Sequence, residues 1–179
     1  MRVSLPPTRA PSNFPSLPEL LRDAAGATED EFAGRHPGQF LILERVHGSG
    51  STIASRPGAP PVAKRGPLDV LPVAKRDENN PFTSMVTIGR ARNNDIVVDD
   101  DSVGRMHAWI RRAGDTIDGT SATVTDAGST SETFVNNVPV RAETVPLALG
   151  AHLRIGRVEF CYVDARQLHA ALRAARAAA

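Results

Sequence analysis

The sequence is poor in cysteine and in aromatic residues. Cys161 is its one cysteine, and Phe, Trp and Tyr together make up 4% of the 179 positions. A disulfide within the chain is therefore impossible, and a Cys/His zinc cluster is not expected. Cys161 stands between Phe160 and Tyr162, a setting typical of a small buried core residue. With so few aromatic rings, the core must rest on Val, Ile, Leu and Ala.

Long hydrophobic runs and an excess of charge are also missing. No stretch approaches the ~20 apolar residues that a membrane-spanning helix requires, and the first residues lack the apolar run of a secretory signal. The net charge is only +1, so general attraction to nucleic acid or anionic membranes is not implied. We expect a soluble, cytoplasmic protein without a nucleic-acid or membrane partner, in which any anion binding is local.

Residues 1–37 are predicted to form a disordered, proline-rich tail followed by a short helical segment. Prolines early in this region prevent regular structure. Ser16 is a good helix N-cap, with Pro18 and Glu19 in the first turn. Apolar residues at helical spacing then predict a helix that ends near Gly26. A second, weak helical turn is predicted over residues 28–33.

Residues 38–164 are predicted to form one domain, interrupted by an inserted loop at about 48–81. This loop contains a five-residue repeat, Pro-Val-Ala-Lys-Arg, at 61–65 and again at 72–76. A repeat this short is interpreted as a solvated basic loop, with a docking strip for an acidic partner as the alternative. Residues 165–179 are predicted to form a short C-terminal helix.

The domain reads as many short strands separated by turns. Strand-like runs alternate with Gly, Asn and Asp, and no long amphipathic helix lies between them, which indicates an all-β sandwich or barrel. Asn136 and Asn137 form a turn pair that accepts positive φ. Three turns, at residues 88–98, 103–108 and 126–136, are rich in Arg, Gly, Ser and Thr. Because these residues supply the donors that a phosphate requires, we expect an anion site at the loop tips.

The ordered set of turns resembles the forkhead-associated (FHA) domain family. The resemblance extends over roughly residues 40–164, with the inserted loop as an addition. It implies a β-sandwich of about eleven short strands, binding of phosphothreonine in a peptide, and no catalysis. The matching segments, in chain order, are Gly89-Arg90, Asn94-Asp95-Ile96, Arg105-Met106-His107-Ala108, Gly128-Ser129-Thr130, Thr133-Phe134-Val135-Asn136, and residues 149–156 before the last strand.

The resemblance also implies roles for individual residues. The phosphopeptide-binding residues would be Arg90, Gly104, Arg105, Ser129, Thr130 and Ser131. The residues that brace the loops would be Gly89, His107 and Asn136. The partner would be a Thr-phosphorylated protein or peptide, the substrate of a Ser/Thr kinase. No cofactor or metal is implied.

Three positions depart from the family pattern. Gly104 replaces a serine that donates to the phosphate, Ser131 replaces an asparagine that binds the peptide backbone, and Glu132 replaces a glycine. The Gly104 N–H, Arg105 or Ser102 could compensate for the missing hydroxyl. Two hypotheses follow: a phosphothreonine-dependent interaction module with an imperfect site, or a phosphate-independent interaction module on the same scaffold.

These residues also allow other interpretations. Arg105 could instead form a surface salt bridge with Asp99, Asp100 or Asp101, which lack the spacing of a calcium loop. Ser129, His107 and Asp126 could nominally form a nucleophile set, but the Gly-x-Ser-x-Gly turn is absent. We therefore expect that the protein is not an enzyme. The remaining histidines share no metal-like spacing and receive no role: His36, His47, His152 and His169.

Overall fold

A computed structural model of the chain describes residues 14–47, 69–76, 82, 84–112, 122–141 and 143–177. The predictions for residues 1–13 and for the first repeat copy at 61–65 lie outside this part. The helices are α1 (Leu17–Gly26), α2 (Glu29–Arg35) and α3 (Ala165–Ala177). The strands are β1 (Gln39–Val46), β2 (Val70–Pro72), β3 (Val86–Gly89), β4 (Ile96–Val97), β5 (Ala108–Arg112), β6 (Ala122–Asp126), β7 (Thr133–Val135), β8 (Val138–Val140), β9 (Thr144–Leu147), β10 (His152–Ile155) and β11 (Val158–Asp164).

The strands form two sheets, which confirms the predicted all-β sandwich. The six-stranded sheet has the order β2-β1-β11-β10-β7-β8, and the five-stranded sheet has the order β4-β3-β5-β6-β9. Among the described strands, the short β3–β4 pairing alone is parallel. Apolar side chains at alternate positions of both sheets fill the space between them, because successive residues of a strand face opposite sides. This core includes Leu41, Ile88, Ile110, Leu153 and Phe160.

The N-terminal helices begin where the sequence predicts. The backbone N–H of Ser16 donates to Glu19 at 2.7 Å, and the N–H of Thr28 donates to Glu31 at 2.8 Å. Each pair is a capping box, which satisfies backbone donors that a helix start leaves free. The second element is a true helix that continues to Arg35, and is thus longer than the weak turn expected from the sequence.

The three helices cover the outer face of the six-stranded sheet. Phe32, Leu168 and Leu172 are buried against Phe40 and Ile42 of β1 in a second apolar cluster, separate from the core between the sheets. His169 fixes this layer, because its Nε2 lies 3.1 Å from the carbonyl oxygens of both Ala24 and Ala27. Among the described helices, none is both long and apolar enough to cross a membrane.

The second copy of the basic repeat is not a solvated loop, so that interpretation is wrong for residues 72–76. Pro72 ends β2, which pairs with β1, and Val73 is buried. Lys75 donates to the buried carboxylate of Asp95 at 2.8 Å. The N–H of Thr87 donates to the same carboxylate at 2.8 Å. Burial alone would raise the pKa of Asp95, but Lys75 and Thr87 outweigh burial and hold that pKa below its usual value.

Candidate functional site

Three loops of the sandwich contain the polar turns found in the sequence. The first loop (residues 90–95) joins β3 to β4, the second loop (98–107) joins β4 to β5, and the third loop (127–132) joins β6 to β7. Loops on a rigid scaffold are the usual position for binding groups. The residues that hold these loops together therefore decide what the site can bind.

Backbone and amide hydrogen bonds tie the first loop to the second. The N–H of Arg90 donates to the Gly104 carbonyl at 2.8 Å, and the N–H of Ala91 donates to the Arg105 carbonyl at 3.0 Å. The side-chain amide of Asn94 adds a bond to the same Arg105 carbonyl at 2.7 Å. The candidate residues Arg90 and Arg105 consequently lie on backbone segments that are fixed relative to each other.

His107 ties the second loop to the third. Its ring is fully buried, Nδ1 accepts from the Gly104 N–H at 2.9 Å, and Nε2 lies 3.3 Å from the Glu132 carbonyl oxygen. Since Nδ1 accepts, the proton resides on Nε2, which donates to Glu132. Burial lowers the pKa of His107, although the Glu132 carbonyl and the Asp126 charge oppose the effect. A neutral imidazole thus joins the two loops.

Asp126, at the end of β6, holds the third loop in place by accepting hydrogen bonds from it. Its carboxylate accepts from the N–H groups of Gly128 at 2.8 Å and Ser129 at 2.7 Å, and from the hydroxyls of Ser129 at 2.7 Å and Thr133 at 2.5 Å. Burial would raise the pKa of Asp126, but these donors outweigh it and lower the pKa. From the sequence, Asp126 was expected only as a nominal member of a nucleophile set. Its loop role could have been found from the Asp-x-Gly-Ser pattern, which is typical of an Asx turn.

Ser129, expected to contact the phosphopeptide, turns its hydroxyl toward Asp126 instead. The nominal nucleophile set is not assembled either. Ser129 bonds directly to Asp126, while His107 Nε2 lies 3.9 Å from that carboxylate and is directed to Glu132. Nucleophilic catalysis of this kind requires an imidazole between the hydroxyl and the acid. No imidazole lies between Ser129 and Asp126.

The remaining candidate residues are exposed at the loop tips: Arg90, Arg105, Thr130 and Ser131. Arg90 Nε donates to the Val103 carbonyl at 3.2 Å, which orients its guanidinium and leaves both terminal amino groups for a ligand. Within the described part of the chain, neither arginine has a carboxylate within salt-bridge distance. The alternative pairing of Arg105 with residues 99–101 is not formed there, since Asp100 pairs with Arg157 at 2.9 Å.

Two of the suggested compensations for the missing serine hydroxyl fail. The Gly104 N–H is already used by His107. The Ser102 hydroxyl donates to Asp100 at 2.7 Å and accepts from the Arg157 N–H at 3.0 Å. Of the three groups considered, Arg105 alone remains available. Glu132 adopts φ +53°, the left-handed conformation that favours glycine.

Asn136 lies apart from the other bracing residues. With Asn137 it has positive φ in the tight β7–β8 turn, as predicted. Its N–H donates to the His152 carbonyl, and its side-chain oxygen accepts from the His152 N–H, both at 2.9 Å. Asn136 therefore ties this hairpin to β10, whereas Gly89 and His107 act within the three loops.

Comparison with known proteins supports the resemblance seen in the sequence. The family profile of the FHA domain matches residues 86–156. The oxoglutarate dehydrogenase inhibitor of Corynebacterium diphtheriae is 33% identical over 129 residues, which cover 69% of this chain and 82% of that protein.

Two solved structures are also similar. One, from a study of phosphothreonine-dependent FHA domain interactions, is 25% identical, covers 70% of this chain and 94% of its own, and has a TM-score of 0.46. The other, the FhaA FHA domain complexed with the intracellular domain of Rv3910, is 27% identical, covers 70% and 99%, and has a TM-score of 0.42.

The ordered loops, the profile match and the identity to this relative lead to one conclusion: the chain belongs to the FHA domain family.

Proposed function

We propose that the chain is a phosphothreonine-dependent protein-interaction module in signalling or scaffolding, with an imperfect phosphate site. Arg90 and Arg105 would bind the phosphate, and Thr130 and Ser131 would contact the peptide. The observation that supports this proposal is the pair of exposed guanidiniums on mutually bonded loops, without carboxylate partners in the described residues. A guanidinium presents a planar fork of donors that fits phosphate oxygens.

Hydrogen bonds within the chain also hold the loops in place. Arg90, Ala91 and Asn94 bond across to the second loop, and His107 connects that loop to the third. A site that is already ordered loses little conformational freedom on binding, so more of the interaction energy appears as affinity. Ordered loops therefore favour binding of a short, extended peptide, which makes only a few weak contacts.

The altered positions weaken the proposed site. A hydrogen bond to a charged group contributes about 1.5–3 kcal/mol, so the missing hydroxyl at Gly104 reduces affinity by about ten- to a hundredfold. The carboxylate of Glu132, exposed on the third loop, adds repulsion toward a phosphate. We therefore expect phosphopeptide binding that is measurable but weaker than a complete site would give.

A second candidate function is a phosphate-independent interaction module, with a metabolic enzyme as the partner. It is favoured by Gly104, whose N–H is not available to a ligand, and by the relative named for inhibition of oxoglutarate dehydrogenase. In this case the same face of the loops would contact a folded protein, and the guanidiniums would pair with carboxylates.

One titration separates the two candidates. Paired peptides with and without phosphate on one Thr are titrated into the wild-type chain, Arg90→Ala and Arg92→Ala. Arg92 is an exposed arginine of the same loop, so its loss lowers the net charge equally. The first candidate requires preference for the phosphorylated peptide and a loss confined to Arg90→Ala. Equal binding of both peptides would reject it, and equal losses in both variants would indicate only general charge attraction.

The second candidate is tested on the enzyme directly. Purified 2-oxoglutarate dehydrogenase is assayed with increasing amounts of the unphosphorylated chain. Inhibition by the unphosphorylated chain that Arg90→Ala weakens would support phosphate-independent regulation through this face of the loops. An unaffected rate at saturating chain would remove this enzyme as the partner.

A further inference from the structure

A polar cluster lies on the outer face of the six-stranded sheet, apart from the three loops. It consists of Glu44 in β1, His152 in β10 and Glu159 in β11, and one ligand atom of each lies within 4.8 Å of the others. His152 Nδ1 is 2.6 Å from Glu44 Oε2 and 3.6 Å from Glu159 Oε1. More than a hundred residues separate Glu44 from its two partners in the sequence.

A β-bulge places Glu44 in this cluster. Leu43 pairs with Phe160 and Arg45 pairs with Glu159, so Glu44 is an extra residue without its own partner on β11. His152 pairs with Cys161, two residues from Glu159 along β11. Since directly paired residues, and residues two apart on a strand, share a face, His152 and Glu159 point to the same side. Bulges commonly redirect a side chain next to a functional site.

The two carboxylates are buried and incompletely neutralised. The side chains of Glu44 and Glu159 are 9% and 5% exposed. Glu44 Oε1 is buried without a hydrogen-bond partner in the described structure. Arg45 Nε lies 3.5 Å from Glu159 Oε2. His47 Nε2 contacts the same oxygen. A buried carboxylate oxygen without a partner is costly, and a cation between the two acids would provide one.

We propose that Glu44, His152 and Glu159 bind a divalent first-row transition metal, with Zn²⁺ as the first ion to test. A water molecule would complete the tetrahedral coordination. Zinc binds imidazole nitrogen and carboxylate oxygen at about 2.0–2.2 Å, which places tetrahedral ligand atoms about 3.4 Å apart. The separations of 2.6 and 3.6 Å from His152 bracket this value. Calcium takes six to eight oxygen ligands, and the imidazole of His152 favours a transition metal over it.

The site would cross-link β1, β10 and β11 next to the helix layer. Such a metal binds the folded chain only, because the ligands are far apart in an unfolded one, so it stabilises the fold. This role does not depend on phosphopeptide binding by Arg90 and Arg105. The proposal therefore stands or fails separately from the proposed function.

The test is calorimetric titration of the whole chain with Zn²⁺ after treatment with EDTA, together with Co²⁺ absorption spectra. We expect one ion per chain, and tetrahedral Co²⁺ bands that Zn²⁺ displaces. At a Zn²⁺ concentration about a hundred times the Kd, the unfolding midpoint should rise by about 5–10 °C. Glu44→Gln, which keeps the side-chain size, and His152→Gln should each weaken binding by more than about tenfold.

His36→Gln is the matched control. His36 bonds one carboxylate, Asp23, at 2.9 Å and, among the described residues, belongs to no group of three potential metal ligands, so its loss should leave Zn²⁺ affinity unchanged. The proposal is overturned if the wild-type chain binds no Zn²⁺. It is also overturned if Glu44→Gln, shown to be folded by its circular dichroism, binds as well as the wild type, whatever His152→Gln does to the fold.

Discussion

A side chain on Gly89 would collide with Arg105: a Cβ at Gly89 would lie 2.5 Å from the Arg105 carbonyl oxygen. Real Cβ atoms do not approach backbone this closely. The glycine at the end of β3 therefore permits the contact between the first and second loops. Through that contact, the backbone of β3 fixes the position of a candidate phosphate-binding arginine.

Gly89→Ala should push the second loop away from β3. We expect the free energy of unfolding to fall by about 1–3 kcal/mol, the usual range for overpacking, and phosphopeptide affinity to fall with it. Urea unfolding gives the first quantity. Gly34→Ala is the control, because Gly34 is an exposed helical position where a Cβ meets nothing within 4 Å. That change should stabilise the chain by up to about 1 kcal/mol. A Gly89→Ala variant as stable as the wild type would contradict the steric argument.

Gly104→Ser should restore a donor to the site. A Cβ at Gly104 would meet its nearest neighbour, the Met106 carbonyl oxygen, at 3.5 Å, an ordinary contact. The new hydroxyl should strengthen phosphopeptide binding by about ten- to a hundredfold, the effect of one bond to a charged group. The measurement is a peptide titration with Gly104→Ala alongside, which adds the Cβ but no donor. If both variants gain equally, the effect is not a hydrogen bond.

Glu132 combines two defects that substitution can separate. Its φ of +53° strains any residue with a Cβ, and its exposed carboxylate would repel a phosphate bound at the proposed site. Glu132→Gly should remove both, and raise the free energy of unfolding by about 0.5–1 kcal/mol. Glu132→Ala should remove only the charge. Peptide affinity should therefore rise in both variants, whereas stability should rise in Glu132→Gly alone, as measured by titration and urea unfolding. A stability gain in Glu132→Ala would show that strain is not the cause.

His107 should make the fold sensitive to mild acid. Its pKa is lowered by burial, so the unfolded chain takes up a proton here more readily than the folded chain does. The stability that neutral His107 contributes is present above its unfolded pKa of about 6.5 and is lost as pH falls below that value.

Urea unfolding of the wild type and of His107→Gln, from pH 8 to pH 5, isolates this contribution. The wild type should be the more stable at pH 8, and the difference should shrink toward pH 5. The other histidines are common to both proteins, so their titration cancels in the difference. A gap independent of pH would mean that the imidazole does not change protonation on unfolding.

The sequence was sufficient to predict the sandwich and the three loops. Short alternating strands and turn residues are local signals, and Asn136-Asn137 behaves as its composition indicates. The motif spacing also placed Arg90 and Arg105 on adjacent turns. What it could not predict is which donors remain available. The Ser129 hydroxyl and the Gly104 N–H are bonded within the fold, and their acceptors, Asp126 and His107, are seen only when the backbone path is known.

The cluster around His152 could not be predicted either. Its members come from the two ends of the domain and have no motif spacing. Their meeting depends on the antiparallel pairing of β1 with β11 and on one unpaired residue in β1. Likewise, nothing local in the second Pro-Val-Ala-Lys-Arg copy reveals that Lys75 would find the buried Asp95 twenty positions later.

The bulge in β1 bears on which deletions this chain could tolerate. Leu41 and Leu43 face the core, Arg45 pairs outward with Glu159, and Val46 lies opposite the core residue Val158. If Glu44 were deleted, Leu43 and Arg45 would become neighbours and the strand would alternate regularly from end to end. A lineage could thus lose this one codon and keep the sandwich, but it would lose a ligand of the proposed metal site at the same step.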